Sequence, residues 1–294
     1  MPLLTVRHTT VYRYSVPVGL GEHRMLFRPR ESHDLRLLKA RLDITPNPIR
    51  LRWLHDVFDN SIAVATFDGT TSVLRFDSVV TLDQVETMLP DYPLEDHAKT
   101  YPFTYSDDEL ANLARALVHH YPSDDVSRWV GRFLDPSGTT GTMSLLRSIT
   151  LGIKDEFVYA RRTEKGVQSP SETLQSRRGS CRDFAVLMME ATRCLGLAAR
   201  FVSGYIFIPD RDAGSTVGGG AMHAWMQAYL PGAGWVDFDP TNSIIGNRNL
   251  IRVAVAWDPK QVLPLWGTFI GSASSFLGMD VTVSVTEGTL KVES

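Results

Sequence analysis

Apolar and polar positions alternate along the start of the chain. Leu4, Val6, Tyr12 and Tyr14 are interleaved with Thr5, Arg7 and Arg13, and Leu38, Ala40, Leu42 and Ile44 with Lys39, Arg41 and Asp43. This is the period-two pattern of strands that bury one face. Turn formers at Pro46-Asn47-Pro48, Asp59-Asn60 and Asp68-Gly69 punctuate the pattern, and a further strand is expected over 73–82. Residues 1–88 therefore read as an antiparallel, β-rich N-terminal domain.

The period then changes. Pro90, Pro93 and Pro102 mark a connector, and Ser106 followed by Glu109 has capping-box spacing. A helix through about His120 is expected. Two more are expected near 126–134 and 143–157, where Leu146, Ile149, Ile153 and Phe157 recur at helical intervals. Residues 89–150 are thus expected to form a helical connector leading to a second core over 151–294. A strand-like run at 280–285 is grouped with that core, and 257–277 carries little pattern.

The run Gly179-Ser180-Cys181-Arg182-Asp183 opens another helical pattern. Phe184, Leu187, Met188, Ala191 and Leu195 trace one face, and Gly196 supplies the stop. Ser180 and Asp183 repeat the capping spacing, so Cys181 falls in the first turn. There the helix dipole and unpaired N–H groups favour an anion, and Arg178 and Arg182 add positive charge. The same N–H groups can hold the oxyanion formed when a thiolate adds to a carbonyl. Gln175 reads as a surface helix residue. A lone Cys is more often an inert core residue, and Cys194, late on the same helix, is assigned to the core. At 1.5 Å per residue the two thiols stand roughly 20 Å apart, beyond disulfide reach.

A strand over 199–207 follows, then a glycine-rich loop containing Gly218-Gly219-Gly220, then a hairpin with arms at 223–230 and 235–239 joined through Pro231-Gly232-Ala233-Gly234. On the first arm Ala224, Met226, Ala228 and Leu230 form the apolar face; on the second, Val236 and Phe238 do. Keeping those faces together pairs even residues with even, which excludes Leu230 opposite Trp235 and favours Tyr229 opposite Trp235. Asp239 then lies opposite Trp225, one diagonal step from His223 and roughly 7–8 Å from it by backbone geometry. An imidazole oriented by that carboxylate can take a thiol proton and return it to a leaving amine. Cys181, His223 and Asp239 are the candidate catalytic residues.

Composition narrows the alternatives. The chain of 294 residues is 43% hydrophobic and 21% charged with net charge −3, so it is globular and lacks the basic footprint of a nucleic-acid binder. The pairs Arg161-Arg162 and Arg177-Arg178 read as solvated loop charge. No segment reaches the ~18 apolar residues of a membrane span, and the N-terminus lacks a signal-peptide pattern, so no membrane association and a cytoplasmic location are expected. No GxGxxG or P-loop spacing surrounds the glycine run, so no nucleotide cofactor is indicated. No CxxC, HxxxH or HExxH spacing accompanies Cys181, His223 and Asp239, so no metal is expected. His119 and His120 diverge on a helix and are expected to reach solvent separately.

The segments GSCRDFA at 179–185, LGLAARFVSGY at 195–205, His223-Ala224-Trp225 and Trp235-Val236-Asp237-Phe238-Asp239-Pro240-Thr241-Asn242 resemble the bacterial transglutaminase-like cysteine enzymes. The β-rich start resembles the N-terminal domain that often precedes that core. The resemblance implies an α+β fold in which a papain-like, transglutaminase-like core follows the antiparallel β domain. The nucleophile Cys181 would sit at a helix N-terminus packed on an antiparallel sheet, with His223 as base and acid and Asp239 as its partner. It implies a peptide or protein amide as substrate, and leaves hydrolysis, transamidation, loss of catalysis and the oligomeric state open.

Overall fold

The computed structural model describes residues 3–85, 92–136, 138–162, 166–209, 217 and 219–288. Pro90 of the expected connector and Gly218 of the glycine run lie outside them. The alternating N-terminal segments become β1 (Leu3–Met25), β2 (Leu35–Thr45), β3 (Arg50–His55), β4 (Ser61–Thr66) and β5 (Thr70–Gln84). They form one antiparallel sheet in the order β2-β5-β1-β4-β3. Tyr14, Val18, Met25, Ile44, Leu74 and Phe76 share one buried cluster in it, as the period-two pattern requires.

Short pairings bracket the helical segments. These are β6 (Thr100–Tyr101) with β7 (Thr140–Gly141), and β8 (Val158–Tyr159) with β9 (Arg178–Gly179). The helices are α1 (Asp107–Leu113), α2 (Asp124–Gly131), α3 (Thr142–Glu156), α4 (Pro170–Ser176) and α5 (Cys181–Cys194). The Ser106–Glu109 capping box forms, yet α1 stops at Leu113 rather than near His120. The chain turns there: Ala116 N–H donates to Leu113 O, and the Ala116 carbonyl is taken by Ala199 N–H and the Arg193 side chain.

The second sheet runs β13-β12-β11-β10-β14, built from β10 (Ala199–Ile206), β11 (His223–Leu230), β12 (Gly234–Asp239), β13 (Ile244–Ile245) and β14 (Leu250–Ala256). Tyr229 pairs with Trp235 and Met226 with Phe238, the register that the apolar faces demand. α5 packs on β10 and β11, with α2, α3 and α4 against it. Phe184, Leu187 and Met188 share a core with Phe201, Ala224, Met226 and Phe238. α5 is buried on nearly every side rather than along one stripe. Its Glu190 and Arg193 are sealed in as an ion pair at 2.6 Å, and Gly196, at φ +72°, ends it.

The C-terminal strands depart from the sequence reading. The sequence pattern marks a strand only at 280–285, assigned with the rest of 151–294 to the core, whereas β15 (Leu265–Ile270), inside the weakly patterned 257–277 stretch, and β16 (Phe276–Gly288) both pair antiparallel with β1 in the N-terminal sheet. Their partner residues lie 240 or more positions away in sequence, so no local pattern announces them. Leu4, Val6, Val80 and Leu82 of that sheet join the same apolar core as α5.

Candidate active site

Gly179 brings the chain close against the start of α5. A Cβ at residue 179 would lie 2.9 Å from Asp183 Cβ and 2.9 Å from the Phe184 ring. Asp183 is fully buried and ties this corner together. Its Oδ2 accepts from Ser180 N–H and Ser180 Oγ–H at 2.8 Å each, and its Oδ1 from Gln168 N–H at 2.7 Å and Arg162 at 2.9 Å. Arg162, read from sequence as solvated loop charge, therefore anchors the turn that presents Cys181. Its neighbour pair also has a partner, Arg177 donating to Glu156 at 2.7 Å. Cys181 is the first residue of α5 and is 7% exposed. Its backbone N–H and the next two have no acceptor within the helix, as at any helix start.

His223 opens β11, paired with Gly204 of β10. Its Nε2 lies 2.8 Å from Asp239 Oδ2, with both side chains wholly buried. The carboxylate is fully engaged: Asn242 Nδ2 donates to Oδ2 at 2.9 Å, and Thr241 N–H to Oδ1 at 2.9 Å. Pro240 has no N–H, so the turn after Asp239 offers Thr241 as its first donor. Asn242 is itself held by Val217, whose N–H donates to its Oδ1 at 2.8 Å.

Burial opposes charge on His223. The Asp239 carboxylate, its hydrogen bond and the neighbouring Cys181 outweigh that and raise the imidazole above its ordinary pKa. Burial likewise pushes Asp239 up, but His223 and the bonds from Asn242 and Thr241 hold it below the usual carboxylate value. The other ring nitrogen, Nδ1, is buried and, among the described residues, meets no partner at regular hydrogen-bonding geometry, with Cys181 as the thiol that interacts with the ring. The structure thus brings Cys181, His223 and Asp239 together.

Three further residues border the site, and of these only Tyr159 lies outside the runs singled out from the sequence. Tyr159, half-buried on β8, has its phenol held protonated first by burial and then by the charges of Cys181 and Asp239. Trp225 stacks on His223 with centroids 5.9 Å apart and donates its indole N–H to Asp237 at 2.6 Å. Asn242 was visible only as part of the Asp-Pro-Thr-Asn run. Gln175 is exposed on α4, and Cys194 sits half-buried at the rim of the core, its sulfur accepting from Ser127 Oγ at 3.4 Å. His119 and His120 diverge as expected and meet separate carboxylates, Glu190 at 3.4 Å and Asp258 at 3.3 Å; His119 remains exposed, while His120 is half-buried.

A helix that starts with a thiol, packed on an antiparallel sheet that carries a carboxylate-bonded imidazole, defines a papain-like α+β core. Residues 134–240 match the transglutaminase-like superfamily and residues 4–83 the bacterial transglutaminase-like N-terminal region. The chain belongs to the transglutaminase-like superfamily. It is similar to an uncharacterized protein of Mycobacterium leprae, 27% identical over 96% of this chain and 98% of that one. An uncharacterized protein of Mycobacterium tuberculosis is 28% identical over 96% of this chain and 93% of its own length. A solved structure from Cytophaga hutchinsonii, described as a candidate cysteine protease, shares the fold with TM-score 0.70 at 18% identity, covering 98% of this chain and 92% of that one.

Proposed function

We propose that the protein is a cysteine-dependent acyl-transfer enzyme that acts on peptide or side-chain amides through a thioester, with Cys181 as nucleophile, His223 as acid and base and Asp239 as the orienting carboxylate. The observation that carries this reading is the arrangement of the His223 ring. One nitrogen is bound to a buried carboxylate at 2.8 Å, and the other has no regular hydrogen-bond partner among the described residues, while the ring interacts with a thiol at the first residue of a helix. A merely structural buried histidine has both nitrogens satisfied.

The thiol proton passes to His223 Nδ1, and the sulfur adds to the amide carbonyl carbon. The oxyanion falls beside the first N–H groups of α5. As the tetrahedral intermediate collapses, the C–N bond breaks, the imidazolium gives its proton to the leaving nitrogen, and a thioester remains on Cys181. In the second half His223 deprotonates a water molecule, its oxygen bonds to the acyl carbon, and the C–S bond breaks. The products are an acid and the restored thiol. A primary amine in place of water gives transamidation. Water is the simpler acceptor, because no feature of the chain marks a lysine-binding subsite.

The test is incubation with a panel of peptide and glutamine-type amides, with and without a primary amine. Release of acid marks hydrolysis and formation of the new amide marks transamidation; neither product across the panel counts against the proposal. The burial of Cys181, 7% exposed, supports a rival reading, a non-catalytic peptide-binding module that retains the fold. Under that reading Cys181 reacts with alkylating agents no faster than Cys194.

A further inference from the structure

Away from the thiol, a cavity of about 460 Å³ is lined by three guanidiniums, those of Arg30, Arg200 and Arg252. Arg252 is neutralised: its two terminal nitrogens bind Asp237 at 2.9 Å and Asp34 at 2.5 Å. The other two are not. Among the described residues, Arg30 spends one nitrogen on the Phe58 carbonyl at 2.7 Å and Asn60 Oδ1 at 2.9 Å, and neither it nor Arg200 has a carboxylate at ion-pair distance.

Arg200 is held as a built part of the cavity wall. Its Nε donates to Oε1 of Gln227 at 2.8 Å, and Gln227 is 2% exposed and cannot swing away. One face of the guanidinium lies over the Trp235 ring, with Cζ 4.1 Å from the centroid. One edge and one face are therefore occupied, while the two terminal nitrogens have no partner among the described residues. Burial, and then the like charges of Arg30 and Arg252 against only Asp237 in its favour, push the Arg200 pKa down to about 9. A cation in that position costs stability unless something pairs with it.

We propose that this cavity binds the oxyanion of a small organic ligand, a carboxylate or a phosphate. The free edge of Arg200 is the bidentate anchor, Arg30 the second cation, and the Trp235 and Tyr92 rings the walls for the ligand's body. Arg252 offsets only one of the two carboxylates it binds, Asp34 and Asp237, and Glu31 of the lining lies 3.9 Å from Arg28, so the cavity is not strongly cationic overall and the anion is drawn by the local charge of Arg200 and Arg30.

The experiment titrates the full chain with succinate and, separately, with inorganic phosphate at ionic strength held constant with sodium chloride. Tryptophan fluorescence and Tm are the readouts. A saturable response to at least one probe is expected. Succinate alone identifies a carboxylate ligand, phosphate alone a phosphate, and both a general oxyanion site. Arg200→Gln should weaken the response about tenfold or more, while Arg177→Gln on the surface leaves it unchanged. No saturable response to either probe, or wild-type binding by Arg200→Gln, overturns the proposal. Should Arg200→Gln not fold, Arg30→Gln is judged by the same criterion.

Discussion

Gly204 and Trp225 fill one space between them. A Cβ at residue 204 would stand 2.6 Å from Cη2 of Trp225 and 2.2 Å from the Ile251 carbonyl oxygen. Gly204 is also the strand partner of His223, and Trp225 stacks on that imidazole. The bareness of one glycine on β10 thus sets where the indole lies, and the indole sets one face of the histidine.

Gly204→Ala follows directly from this packing. The backbone contact cannot yield as a flexible side chain could, so the substitution should cost about 1–3 kcal/mol in urea unfolding. Amide turnover should fall further than the loss of folded protein explains, because the ring of His223 moves with Trp225. Unchanged stability and turnover would show that the strand relaxes without cost.

Asp239→Asn keeps the shape of the turn and removes the charge that raises His223. Turnover should fall on the order of 10⁴-fold, the scale seen when an oriented imidazole loses its carboxylate. Asn242→Ala removes one of three donors to the same carboxylate and should cost far less, about tenfold in kcat with little change in KM. Equal losses in the two variants would assign the pair a structural role.

The pH dependence has a definite sign. His223 is raised from an ordinary value of 6.5, so its contribution to stability is fully present below that value and is lost as pH rises through its higher folded-state pKa. Asp239 is lowered from 3.8, so its contribution is present above that value and is lost as pH falls through its lower folded-state pKa. The pair therefore stabilises the fold from mildly acidic pH past neutrality. The alkaline limb of kcat/KM should lie above the ordinary imidazole range in the wild type and move down in Asp239→Asn, as measured by a pH–rate profile. An alkaline limb at the ordinary imidazole value in the wild type would contradict the coupling.

Much of this site was legible in the sequence because its parts are local. The Ser180–Asp183 spacing announces the helix start, and the apolar faces of β11 and β12 admit one register, which places Asp239 beside His223. What escaped was long-range. Tyr159 reaches the site from a two-residue strand whose partner is Arg178-Gly179, and the β15 and β16 strands answer to β1 across most of the chain. Arg162 looked like loop charge because nothing in its surroundings names Asp183, 21 positions on, as its partner.

Tyr159→Phe tests the neighbour that sequence did not find. With its phenol kept neutral by burial and by Cys181 and Asp239, the hydroxyl is available as a donor near the thiol. Its loss should lower kcat about tenfold or more with KM nearly constant, if it supports the transition state. A change in KM alone would make it a substrate contact.

The most direct measurement of the central claim is the rate of iodoacetamide alkylation at Cys181 and Cys194 as a function of pH, read by peptide mass spectrometry in the wild type and in His223→Ala. The account predicts that at pH 6–7 Cys181 is modified well before Cys194, and that His223→Ala abolishes this preference. Equal and slow modification of both thiols, or a preference that survives without His223, would contradict it.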